Sequence, residues 1–383
     1  MRETDTIARL GGDEFGVLPA EATNLASAAA VAWTIEQTCQ PPFVVNHAVV
    51  HVSASIGIAM CPEHGTTTAE LLHRADAAMY VAKRSGCGHA VFDARQETET
   101  ARRLGLLADL RRCVERGELV LHYQPKIELQ TREITGVEAL VRWQHPVLGL
   151  LAPDRFLSEV ERTELIEPLT RGVLSEALHQ QRAWRDQGLD LTIAVNISDH
   201  SLRARSNLVE TVAEPADLWG TPPGYLTVEL TEGALIGADA AETLSRLHDM
   251  GPRMSIDDYG TGYSSLVHLQ RLPVDEIKID RSFVTGLTAA SDDEVIVRST
   301  IELAHSLGLT VVAEGVEDAK VLGMLARHKC DAAQGFHVGR AYPADELTRW
   351  LVNSPYRARA VAGSPATTPS TSLGRALRSS VGV

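Results

Sequence analysis

From Leu119 to Phe336 the chain alternates between short apolar-rich strands and helix-length stretches, and nothing else in the sequence restricts the fold as strongly. Strands are predicted at Leu119–Gln124, Ile134–Val141, Thr192–Ile197, Leu226–Leu230, Arg253–Asp257, Asp275–Ile279, Thr310–Glu314 and Asp331–Phe336. Helical periodicity fills 167–187, 201–218, 232–249, 292–307 and 317–328. Eight strands with helices between most of them, over about 235 residues, predict an α/β fold of the TIM-type (β/α)8 barrel. One connection departs from the pattern, because only nine residues, Pro125 to Glu133, join the first two strands. A parallel crossover needs a dozen or more, so the first strand is expected to run antiparallel to the second.

Period-two alternation sorts each strand into an outer and an inner face. In Leu226-Thr227-Val228-Glu229-Leu230 the apolar residues face the helices, which turns Thr227 and Glu229 toward the barrel axis. The same sorting turns Glu138, Asn196, Asp257 and Lys278 inward, with Glu314 closing Val311-Val312-Ala313 and Gln334 in the last strand. Polar inward positions near strand C-termini are where barrel enzymes keep their chemistry. Singly, each residue has an ordinary role: Asn196 satisfying a loop, Glu229 favouring a helix N-terminus, Lys278 on the surface, Asp257-Asp258 in a solvated turn. Together they do not, because inward charges are costly to desolvate unless paired or metal-bound. Five carboxylates, Glu138, Glu229, Asp257, Asp258 and Glu314, against one lysine leave excess negative charge. Oxygen donors without a Cys or His cluster suit Mg²⁺ or Mn²⁺ rather than Zn²⁺, and two ions balance the charge better than one.

Glu138-Ala139-Leu140-Val141-Arg142-Trp143 resembles the signature of EAL-domain cyclic di-GMP phosphodiesterases. Gln124-Pro125-Lys126-Ile127, Asn196, Glu229-Leu230-Thr231-Glu232, Asp257-Asp258-Tyr259-Gly260-Thr261-Gly262-Tyr263-Ser264-Ser265, Lys278-Ile279-Asp280, Glu314-Gly315-Val316-Glu317 and Gln334-Gly335-Phe336 match that family in order, over roughly 105–353. Tyr259 stands where Phe is more usual. The resemblance implies metal ligation by Glu138, Asn196, Glu229 and Asp257, with Asp258 serving a second Mg²⁺ or Mn²⁺. Lys278 and Glu314 correspond to the groups that orient and deprotonate the attacking water. Gln334 corresponds to a polar support near the metals, Gln124 and Arg142 to ligand-contacting positions, and Glu232 to a support for the 258–265 loop that couples dimer contacts to metal binding. The implied reaction is metal-dependent hydrolysis of cyclic di-GMP to linear pGpG, by a homodimer formed through the EAL domain. A sensor that binds cyclic di-GMP without cleaving it is the alternative; no ligand position is lost, which favours the enzyme.

Residues 1–93 read as a separate, partial α/β unit. Arg9-Leu10-Gly11-Gly12-Asp13-Glu14-Phe15-Gly16 predicts two strands around a Gly-Gly turn, followed by a helix over 21–39, a strand from Val49 to Ala59, a helix over 69–84 and a strand from His89 to Phe92. With Ser53–Ala59 and Arg74–Lys83, this resembles the C-terminal part of a diguanylate cyclase (GGDEF) domain, a nucleotidyl-cyclase-like fold. Arg2 and Asp5 resemble that family's product-inhibition motif, here as a vestigial site. Gly86-Cys87-Gly88 departs from the family's usual Gly-Arg-Asn, and the strand carrying the family's first metal-binding Asp is expected before Arg2. The chain therefore reads as a truncated gene product or fragment that makes no cyclic di-GMP.

Residues 94–118, with Leu104, Leu107 and Leu110 at helical spacing among charges, predict an amphipathic linker helix. From about 356 to 383 the residues are small, polar and Pro-containing, and predict a disordered tail. A net charge of −14 argues against a broad nucleic-acid surface. No apolar run approaches the ~20 residues of a membrane span, and the start does not open a signal peptide. Five scattered cysteines without Cys-x-x-Cys fit a reduced, cytoplasmic protein.

Overall fold

A computed structural model describes residues 4–39, 41–45, 48–50, 52–85, 87–93, 105–106, 109–113, 116–161, 163–202, 207–235, 238–261, 269, 272–289 and 291–361. The chain divides into two compact units, Met1–Leu106 and Leu107–Val383.

In the first unit β1 (Thr6–Gly11) and β2 (Glu14–Leu18) form the expected antiparallel hairpin. Gly12 turns it at φ +54°, a conformation that favours glycine. The helices Leu25–Cys39 and Thr68–Ser85 fall where periodicity put them. The stretch read as one strand from Val49 to Ala59 is paired at its two ends with different partners. β3 (Phe43–Val45) and β4 (Ala48–Val50) form one antiparallel ladder, while β5 (Ile56–Ile58) pairs in parallel with β6 (His89–Val91). Ala28, Ala32 and Ile58 centre a small core against which Ile56, Met60 and Val91 pack. A Cβ on Gly57 would lie 1.8 Å from the Ala75 carbonyl, so the helix Thr68–Ser85 rests directly on β5. Ile7, Leu10, Phe15 and Leu18 of the hairpin are exposed.

The second unit is the barrel. Its strands are β7 (Leu119–Glu128), β8 (Glu133–His145), with β9 (Gly149–Leu151) folded back on it, then β10 (Thr192–Asn196), β11 (Leu226–Thr231), β12 (Arg253–Tyr259), β13 (Glu276–Ile279), β14 (Thr310–Ala313) and β15 (Ala332–Gln334). Eight of them close a ring in the order β7-β15-β14-β13-β12-β11-β10-β8, shut by the β7–β8 pairing. As expected from the nine-residue connection, β7 is antiparallel to both neighbours, and the other pairs are parallel. The short link permits only a turn, Thr131 donating to Glu128 with Arg132 at φ +58°. β16 (Tyr342–Pro343) extends the sheet outside the ring on β7.

The helix Ile166–Asp186 shows why the outer layer holds. Leu169, Val173, Leu174, Ala177, Leu178, Gln181 and Trp184 are buried on one face. Trp184 meets Tyr123 of β7 edge to face at 4.9 Å and donates to Thr348 at 2.8 Å. Burying residues of this size contributes on the order of 2 kcal/mol each.

The division between units falls inside the stretch read as a linker. Residues 94–104 lie outside the described residues, but Leu110 and Cys113 are fully buried and Glu118 accepts from the Gln144 amide, so the second half of the stretch belongs to the barrel. The disordered tail needs a correction at its start. β17 (Arg357–Ala358) pairs with the beginning of β8, Arg359 donates from its amide to the Ile134 carbonyl, and the Val361 amide donates to Gly188. The reason is an open edge: β8 starts at Glu133, three residues before its register with β10 begins at Gly136, and the early carbonyl takes a backbone donor that composition did not reveal. Arg359 also reaches Glu128 at 3.3 Å. Residues 362–383 of the predicted tail lie outside the described residues.

Candidate active site

Parallel strands present their C-terminal ends to one mouth of the barrel, and there the inward residues meet. Lys278 of β13, 1% exposed, lies among four carboxylates: Glu314 at 2.6 Å, Glu229 at 3.0 Å, Asp257 at 3.2 Å and Glu138 at 3.6 Å. These come from β14's end, β11, β12 and β8, so only closure of the ring brings them together. Asn196 at the end of β10 donates to Glu138 at 2.6 Å, and Gln334 of β15 donates to the other oxygen of Glu138 at 2.5 Å and to Gln124 at 3.2 Å. Gln124 in turn donates to the Gly339 carbonyl.

The electrostatics follow from burial and crowding. Burial would raise Glu138, but the Lys278 charge and the Gln334 and Asn196 hydrogen bonds hold it below the ordinary carboxylate value. Glu229 is held well above that value by burial and by the Glu138 and Asp257 charges, which together outweigh Lys278. Glu314 is pushed up to about 7 by burial and by Asp257 and Glu138, against the pull of Lys278. Lys278 stays charged: burial lowers its pKa, but the four carboxylates lift it well above the usual lysine value.

Asp258 is exposed, with φ at +53°, a left-handed conformation that Asp tolerates better than most residues. Its amide donates to Asp257, and burial together with the Asp257 and Asp280 charges pushes its carboxyl up to about 6. Glu232, buried in the short turn after β11, accepts from the Gly260 amide at 3.1 Å and so ties down the start of the loop after β12. Residues 262–268 of that loop lie outside the described residues.

Two carboxylate groups have the geometry to hold cations. Glu138, Glu229 and Asp257 each offer an oxygen within 4.8 Å of the others, and so do Asp257, Asp258 and Glu314. Asp257 belongs to both. The donors are hard oxygens without Cys or His, which fits Mg²⁺ or Mn²⁺.

Every barrel residue singled out from the sequence comes to this mouth, with Arg142 at its edge, in electrostatic reach of Glu138. Arg142 follows Glu138 by four along β8 and is half-buried, but its guanidinium donates to the Val141 carbonyl rather than to the carboxylates. In the first unit Arg2 lies outside the described residues, and Asp5 accepts from the Ala20 amide. Three residues went unassigned from sequence. Asp280 interacts with Asp258 and caps the short helix Arg281–Val284. Lys126 and Glu276 form a buried ion pair at 3.1 Å, deeper in the barrel, where Ser255 also donates to Glu276. The signal for this pair was present: Lys126 is two residues from Gln124, and Glu276 two from Lys278, on the same inward faces.

Comparison with known proteins agrees with this geometry. Residues 107–341 match the EAL domain family and residues 1–89 the diguanylate cyclase GGDEF domain family. MucR of Pseudomonas aeruginosa, a bifunctional diguanylate cyclase/cyclic di-GMP phosphodiesterase, is 45% identical over 91% of this chain and 51% of its own length. PdeR of Escherichia coli, a cyclic di-GMP phosphodiesterase, is 38% identical over 91% of this chain and 53% of its own. The chain thus spans about half the length of the curated relatives it matches. The MucR phosphodiesterase structure in complex with c-di-GMP aligns at TM-score 0.61 and 44% identity, over 63% of this chain and 99% of that one. The EAL domain of Mycobacterium smegmatis DcpA aligns at TM-score 0.52 and 36% identity, over 62% and 97%.

Proposed function

The chain belongs to the EAL-domain family, with a GGDEF domain match preceding it, and on that premise we propose that it hydrolyses cyclic di-GMP to linear pGpG in bacterial second-messenger signalling. One observation carries the reading: Glu138, Glu229, Asp257 and Glu314 surround a single buried ammonium, and Asp258 extends the set. A sensor needs a complementary pocket; it does not need two groups of carboxylates sharing Asp257.

Glu138, Asn196, Glu229 and Asp257 would hold one Mg²⁺ or Mn²⁺ ion, and Asp257 with Asp258 a second, next to Glu314. The bound ions would supply Lewis acidity and a coordinated water of lowered pKa. Glu314, 2.6 Å from the Lys278 ammonium, takes the proton from the attacking water. Lys278 donates to the oxygens around that water and offsets charge growing on the phosphodiester. A bond forms from water oxygen to phosphorus as one ester bond of the ring breaks, leaving a terminal phosphate and a free hydroxyl. Gln334 and Asn196 fix the Glu138 carboxylate, and Gln124 and Arg142 line the side on which the ligand enters.

The proposed protein works in the cytoplasm as a homodimer through its EAL domain. Among the described residues no helix is long and apolar enough to cross a membrane. The test is incubation of the purified chain with cyclic di-GMP and Mg²⁺ or Mn²⁺, with chromatographic separation of products. Appearance of pGpG, suppressed by excess EDTA, is expected; binding without turnover would assign the chain to the sensors instead.

A further inference from the structure

One tier below the carboxylates, the barrel interior holds an ion pair that packing does not require. The Lys126 ammonium donates to both oxygens of Glu276 at 3.1 Å, Ser255 donates to one of them at 3.1 Å, and all three residues are buried. Apolar residues of similar volume often replace such a pair with no loss of stability. Each of the three stands two positions from a mouth residue on the same inward face: Ser255 from Asp257, Glu276 from Lys278, Lys126 from Gln124. Ser255 is paired with Glu276 in the β12–β13 ladder, and that ladder slips between Ile256 and Tyr259, where Asp257 and Asp258 face the site. The Ser255–Glu276 bond therefore sits at the last inward position where the two strands keep regular register. Lys126 ties β13 across the interior to β7, whose Gln124 reaches Glu138 through Gln334.

We propose that Glu276, held between Lys126 and Ser255, is a positioning residue for the reaction, fixing how Lys278 and Asp257 enter the mouth; this rests on the proposed function above. Glu276 and Lys278 are alternate residues of β13, so anchoring the carboxylate anchors the stretch of strand that carries the ammonium. Ser255 does the same for Asp257 from β12. The 3.2 Å separation of Lys278 and Asp257 thus depends on a crosslink outside the carboxylate set. The ion pair has a second effect. Glu276 lies in electrostatic reach of Lys278, and with its charge taken up by Lys126, the Lys278 ammonium is left to Glu138, Glu229, Asp257 and Glu314. Small displacements of such groups are expensive, because catalysis depends on the reacting atoms meeting in one geometry.

The experiment compares the purified full chain with Lys126→Met/Glu276→Leu, which removes both charges together, and with Ser255→Ala, which leaves the ion pair in place. In the double variant the melting temperature is expected to match or exceed that of wild type. Its kcat for cyclic di-GMP is expected to fall about tenfold, the lower end for partners that orient the ligands of a site, with KM nearly unchanged. Ser255→Ala is expected to lower kcat by a smaller factor, again at nearly constant KM and melting temperature. A merely structural pair would return wild-type kcat along with wild-type melting temperature; that result in the double variant would overturn the assignment and leave the hydrolase reading intact. If the double variant does not fold, Ser255→Ala decides, and wild-type kcat there would overturn the assignment. A wild-type chain without turnover of cyclic di-GMP would overturn both.

Discussion

Glu314 is the carboxylate nearest the Lys278 ammonium, 2.6 Å away, and the two residues stand at the ends of neighbouring strands in the ring. Among the described residues Lys278 supplies the one ammonium that touches this set of carboxylates, and Glu314 is the residue proposed above to take the proton.

Replacing Lys278 by Met should therefore lower kcat on the order of 10²–10⁴, the range for a positioned catalytic group, with cyclic di-GMP binding retained. It should also destabilise the metal-free protein. The variant keeps the packing of the side-chain stem but leaves four carboxylates uncompensated, and breaking a buried ion pair costs about 3–5 kcal/mol. Added Mn²⁺ should recover most of the lost melting temperature. Near-normal turnover would mean that the ammonium plays no part in the chemistry.

Glu138 accepts from both Asn196 and Gln334 and faces Lys278, so Glu138→Ala should abolish hydrolysis. Calorimetry with Mn²⁺ should show the stronger binding event lost. Gln334→Ala, which removes a donor and leaves the carboxylates in place, should reduce turnover less. Equal losses in the two variants would contradict the division between ligand and support.

The Lys126–Glu276 pair predicts a pH dependence of stability away from the mouth. Burial would raise the Glu276 carboxyl, but Lys126 and then Arg253 hold it below the ordinary value. A folded-state pKa below the unfolded one means stability that is present above the unfolded value and lost as pH falls through the folded one. Urea denaturation of wild type should show this acid loss below about pH 4.3. In Glu276→Gln that component should be missing, and stability at pH 7 should be lower by about 3–5 kcal/mol. A variant as stable as wild type at pH 7 would show that the pair contributes nothing.

Deleting residues 357–383 should lower the melting temperature by several degrees more than deleting 362–383, since only the longer deletion removes β17 and the Arg359 contacts. At about 2–4 °C per kcal/mol for a unit of this size, scanning calorimetry resolves the difference. Identical melting temperatures would show that the short ladder carries no stability.

The barrel, its reversed first strand and most of the site were legible in the sequence, because they rest on local and periodic signals. Alternation in Leu226–Leu230 and Glu276–Ile279 tells which side chains face inward, and nine residues between strands rule out a crossover. Those signals are set by backbone geometry and by the cost of exposing apolar faces, so one strand at a time suffices. Tertiary structure decided the pairings: that Lys278 meets four carboxylates from four other strands, and that Lys126 and Glu276, three places apart in the ring, join through its interior. It also decided that Arg357–Ala358 find a free edge on β8, although their composition is that of a loop. Such contacts depend on ring closure and shear, which no single segment encodes, and on backbone donors and acceptors, which carry no sequence signature at all.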